Sequence, residues 1–155
     1  MRWIQFRILA ILFAFVLTAL PAAAQSLASL NGTWEGSLRV TGSQGDVDVQ
    51  PYKVRIVIAG AAARVFVESG SQFQEVKPGV FRVGGLGPSA IIVALDSGGD
   101  NEGTWYETWD FAVTLKDSNT LMTNLSRIVN NADLPLSSTH SKFSVAAMGE
   151  LLRTK

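Results

Sequence analysis

Between Thr104 and Lys116 the chain alternates strictly. Trp105, Glu107, Trp109, Phe111, Val113 and Leu115 fall on one side, and Tyr106, Thr108, Asp110, Ala112 and Thr114 on the other. Period-2 alternation of this length predicts a long strand with one face on a core and one in water. Glu107 is the exception, a carboxylate on the apolar face between two tryptophans. A carboxylate buried alone costs several kcal/mol or gives up its charge, so this strand constrains its neighbour as well as itself.

The next run supplies the partner. Asp117-Ser118-Asn119 is turn chemistry, and beyond it Leu121, Thr123, Leu125, Arg127 and Val129 share one face, which turns Arg127 inward too. One allowed register of this hairpin sets Glu107 directly opposite Arg127. The adjacent allowed register sets Arg127 opposite Trp109 and diagonal to Glu107. In both, a carboxylate and a guanidinium meet among aromatic rings, where the planar fork of Arg can bond bidentately and stack on Trp109 or Trp34.

The rest of the chain beyond residue 25 has the same grammar. Short β-rich runs, separated by Gly, Asp, Asn, Ser and Pro clusters, predict strands near Thr33–Val40, Gln50–Ile58, Ala63–Ser69, Phe73–Lys77, Val80–Val83 and Ser89–Leu95. Three more are expected at Gly103–Lys116, Asn119–Asn130 and Ser141–Leu151. The expected fold is all-β, an antiparallel meander closing into a small up-and-down barrel of about eight to nine strands. An open sheet or small sandwich is the alternative. The run from Ala90 to Leu95 is apolar on both faces, so its outer face marks a partner surface if nothing covers it.

The N-terminus reads as an export signal. Arg2 and Arg7 precede an apolar run from Ile8 to Leu20, followed by Pro21-Ala22-Ala23-Ala24. That run is well short of the roughly 20 residues a spanning helix needs. Cleavage after Ala24 leaves residues 25–155 as one domain, periplasmic or secreted, with no membrane association after cleavage. The chain has no cysteine, so the core alone must hold it together. Its 13 basic and 13 acidic side chains cancel, which gives no electrostatic case for nucleic acid.

Just after the signal, Leu30-Asn31-Gly32-Thr33-Trp34-Glu35-Gly36 places Gly-x-Trp at the start of the first strand. This resembles the opening motif of the calycin superfamily, which includes lipocalins, fatty-acid-binding proteins and avidins. The resemblance implies an up-and-down barrel whose Trp closes one end beneath an Arg from a late strand, a role that falls to Trp34 and Arg127. The lipocalin pattern adds a helix after the last strand, where this chain has another strand-like run.

Catalysis has little to work with. His140 is the only histidine and lies in a polar stretch, and Glu107 is the one clearly inward acid. The acidic segment Asp96–Glu102 lacks the ligand order of an EF-hand and reads as a hairpin connection. Gly84–Pro88 precedes a strand and reads as a rim loop. No enzyme, cofactor or metal is expected. The expectation is an exported binding protein holding a small, partly apolar ligand with Trp34, Tyr52, Trp105, Glu107, Trp109 and Arg127. The alternative is a filled barrel acting on another exported protein.

Overall fold

In the computed structural model, residues 27–45, 50–101, 103–133 and 142–154 are described. The signal segment, Glu102 and His140 lie outside them. Nine strands follow one another: β1 (Gly32–Gly45), β2 (Tyr52–Ala59), β3 (Ala62–Ser69), β4 (Gln72–Val76), β5 (Arg82–Leu86), β6 (Ser89–Asp100), β7 (Gly103–Asp117), β8 (Thr120–Asn131) and β9 (Phe143–Thr154). Every pairing is antiparallel, in the order β2-β1-β9-β8-β7-β6-β5-β3-β4, and β2 also pairs β3. That second pairing closes eight strands into a barrel and leaves β4 as an extra strand on β3. Closure removes the sheet edges that a meander of this length otherwise exposes.

Several expected boundaries shift. The expected strand Val80–Val83 is instead Arg82–Leu86, so Gly84 and Gly85 are strand residues and not a rim loop. β6 runs on to Asp100, taking most of the expected acidic loop into the sheet. The reason is the partner strand: all of Ser89–Asp100 pairs with Gly103–Thr114, and a long ladder overrides the turn preference of Asp, Ser and Gly.

The barrel has two unlike ends. At one, a helical turn at 27–30 lies under the start of β1, and Asn31 Oδ1 accepts the N–H of Gly60 in the β2–β3 hairpin. Here Leu30, Trp34, Leu38, Ile56, Phe81, Phe111, Leu121 and Leu151 are at most 1% exposed. At the other end most inward rows open up, although Asn131 at the end of β8 is fully buried. Val40, Tyr52, Val67, Asp96, Trp105, Arg127 and Phe143 are each half-buried, one or two inward positions beyond fully buried residues of the same strand.

The cylinder is also uneven around its circumference. β3 and β5 share a single residue pair, Ala62 with Arg82, supported by the Val83 N–H donating to the Ala61 carbonyl at 2.9 Å. Among the described residues no backbone pairing joins β4 to the upper half of β6. A side chain spans that seam instead: Lys77, just beyond β4, reaches Asp96 on β6 at 2.9 Å and Glu107 on β7 at 2.6 Å. Lys77 holds a left-handed backbone, φ 47°, at the turn that aims it inward.

Candidate functional site

The β7–β8 register sets Trp109 opposite Arg127 and Glu107 opposite Val129. Of the two registers the sequence allows, this is the diagonal one. Arg127 reaches back along β8, and its Nε and Nη2 lie 2.7 and 2.6 Å from Oε1 of Glu107. The other carboxylate oxygen of Glu107 takes Lys77, so a side chain only 7% exposed has both oxygens engaged by cations. Lys77 adds Asp96, and the four charges sum to zero.

Aromatic rings enclose this cluster. The Arg127 guanidinium sits 4.4 Å from the centroid of Trp109 and 4.8 Å from that of Phe143. Lys77 Nζ sits 4.4 Å from the centroid of Trp105. Trp109 stacks in turn on Phe111, with centroids 6.1 Å apart and planes 19° apart, which joins the ion cluster to the core below. Trp105 needs a glycine opposite: a Cβ on Gly98 would run into its ring, so the absence of a side chain there lets the indole lie against β6.

The electrostatics follow from these contacts. Burial opposes the charge on Lys77, but hydrogen bonds to Glu107 and Asp96 outweigh it and lift its pKa above the ordinary lysine value. The Lys77 hydrogen bond, with a second from the N–H of Ser97, draws Asp96 below the ordinary carboxylate range. One polar atom in this layer lacks a partner: the indole N–H of Trp109 is buried and donates to nothing.

The structure therefore brings Tyr52, Trp105, Glu107, Trp109 and Arg127 to one end of the barrel, and separates Trp34 from them. Trp34 lies fully buried at the closed end, where its indole N–H donates to the Leu30 carbonyl at 2.8 Å. The cation over its ring is Arg153 of β9, at 4.1 Å, so the expected pairing of Trp34 with Arg127 is corrected. Arg153 also donates to the carbonyls of Ser118, Asn31 and Ser29, tying the helical turn to the β7–β8 hairpin. β9 borders β1 directly and places Arg153 opposite Trp34, whereas Arg127 lies one strand further away and nearer the other end.

Lys77, Asp96 and Phe143 are the site residues that sequence reasoning missed. Asp96 had a signal, since it continues the inward series Ala90, Ile92, Ala94. Arg153 had the same signal, as the next inward position after Phe143, Val145, Ala147, Gly149 and Leu151. Lys77 had a misleading one: the expected strand Phe73–Lys77 ends at Val76, and Lys77 enters from the turn beyond it, outside strand parity. Among the described residues, no three acidic or histidine side chains gather to hold a metal ion. Comparison with family models, curated proteins and solved structures finds no match for this chain.

Proposed function

We propose that this is an exported, non-catalytic binding protein of calycin type, which takes a small, partly apolar molecule into the open end of its barrel. The observation that carries this reading is the one-ended burial. Fully buried inward side chains crowd the Trp34 end, where Leu115 and Arg153 are the exceptions, whereas Val40, Tyr52, Val67, Trp105 and Phe143 are half-buried at the other end, beside a buried Asn131, and rim the opening assigned to the ligand. A mainly apolar barrel mouth with few polar groups suits a small ligand. Trp34 beneath an Arg of the final strand supports the calycin assignment, and the N-terminal leader supports export.

The ion cluster narrows the ligand's chemistry. Glu107, Arg127, Lys77 and Asp96 satisfy one another, so among the described residues this cluster leaves no spare cation for a carboxylate and no spare carboxylate for an amine. The indole N–H of Trp109 has no partner and is buried, so an oxygen acceptor on a neutral ligand would reach it only by parting the rings above it. Purification from the compartment of origin, followed by denaturation, is expected to release one neutral small molecule per chain. A protein that releases nothing, and whose tryptophan fluorescence ignores neutral apolar probes, contradicts the reading.

A second reading has its own support. Glu107 and Trp109 lie buried among the cations and rings of the saturated cluster, and the outer face of Ala90–Leu95 is uncovered, with Ile91 and Leu95 at 52% and 67% exposure. A filled barrel that docks on another polypeptide through that face accounts for both.

A further inference from the structure

The outer wall of the barrel is divided into two chemically unlike sides. On β1 to β4 the outward side chains are charged and interlocked: Arg55 with Glu35, Lys53 with Glu68, and Arg64 with Glu75. All eight exposed large apolar side chains among the described residues lie instead on β6 to β9. They include Ile91 and Leu95 on β6, Met122 and Ile128 on β8, and Met148 and Leu152 on β9, each 47–67% exposed.

Register makes this a surface and not a scatter. Leu95 stands opposite Thr108, which stands opposite Ile128, and Ile91 shares a row with Met148, with Ala112 and Asn124 between them. Met122 pairs Glu150 and so lies diagonal to both Met148 and Leu152. Between them are mostly small or uncharged residues. The outward charges are Asp110, the pair Lys116–Glu150, bonded at 2.7 Å with Glu150 between Met148 and Leu152, and Arg39 of β1 at the border beside Met148. At roughly 100 Å² each, eight such side chains expose on the order of 800 Å². That is above the largest apolar patch of an ordinary monomer and equal to one partner's share of a standard interface.

We propose that this face packs against the same face of a second copy of the chain about a two-fold axis. A two-fold interface must carry its knobs and its holes on one patch, and this one does. Leu95 and Leu152 protrude. A depression of about 630 Å³ lies beside Ile91, over Gly84, Gly85 and Ala112, where β5 contributes no side chains, and another of about 310 Å³ lies between Met122 and Met148. The few charges of the face, Arg39 and Lys116 against Asp110 and Glu150, cancel, so no like-charge excess opposes self-association. Methionine at two of the contact points suits a surface that must fit its own image.

Sedimentation velocity on residues 25–155, from low to high micromolar, tests this. The expected result is a species of twice the chain mass. In Leu95→Lys/Ile128→Lys its dissociation midpoint rises by about a hundredfold, with far-UV circular dichroism and melting unchanged. Lys53→Gln on the charged side leaves it intact. A single-chain mass at every concentration overturns the proposal, as does a dimer indifferent to the double variant. A single chain that floats with vesicles of neutral lipid overturns it in favour of a lipid surface. The readout is independent of any ligand in the barrel mouth, so the two proposals fail separately.

Discussion

Arg153 lies with its guanidinium 4.1 Å from the ring centroid of Trp34, and its nitrogens reach carbonyls at Ser29, Asn31 and Ser118. One side chain thus fastens the first strand, the turn before it and the β7–β8 hairpin at the closed end. Trp34→Ala removes the largest fully buried side chain and is expected to cost about 3–5 kcal/mol. Arg153→Lys keeps the charge but loses the planar fork, and is expected to recover little of the roughly 1–2 kcal/mol lost in Arg153→Ala. Urea denaturation of the three variants measures both.

At the other end, Glu107 is the shared acceptor for Arg127 and Lys77. Glu107→Gln leaves two part-buried cations without their carboxylate and is expected to destabilise by about 3 kcal/mol, the low end for a broken buried pair because both cations retain some water. Arg127→Ala is expected to cost less than Arg127→Ala combined with Lys77→Ala, since either cation alone still serves the carboxylate. Wild-type melting of Glu107→Gln contradicts the assignment of this cluster as the interior's electrostatic support.

Stability should depend on pH at both extremes through the Lys77 bridge. Asp96 titrates below its ordinary 3.8 in the folded chain, so its contribution is present above that value and is lost as acid carries the pH down through the folded pKa. Lys77 titrates above its ordinary 10.5, so its contribution is complete below that value and is lost as the pH rises through the folded pKa. Melting temperature is expected to be level between these limits on this account and to fall outside them. Lys77→Met is expected to flatten the alkaline fall, and an unchanged alkaline limb in that variant argues against the seam.

Gly98 tests the wall of the barrel mouth separately from its charges. Gly98→Ala places a methyl group against the indole of Trp105 and is expected to displace that ring, shifting tryptophan emission while the fold is retained. Wild-type emission shows that the ring has room which the geometry denies it.

Much of this was legible because strand parity is rigid. The alternation around Glu107 placed Trp105, Trp109 and Arg127 on the inside before any coordinates, and the even-register rule narrowed the hairpin to the two pairings of which one occurs. The Trp34 partner was misplaced because parity says which face a residue takes, not how far along the barrel it sits. Only the β1–β9 pairing reveals that Arg153 is opposite Trp34. Local composition misled at Asp96–Asp100, where turn-forming residues sit in a strand held by its long partner. Lys77 is misread as the end of a strand, since its φ of 47° puts it in a turn where periodicity does not apply.

The most direct measurement follows the indole N–H resonances of residues 25–155 by NMR, where Trp34, Trp105 and Trp109 each contribute one. The account predicts that the molecule released from the native protein, titrated back into stripped chain, shifts the Trp105 and Trp109 signals. The Trp34 signal, held by the Leu30 carbonyl, stays in place. Movement of Trp34 alone, or of none of the three at saturation, contradicts a binding site at the open end.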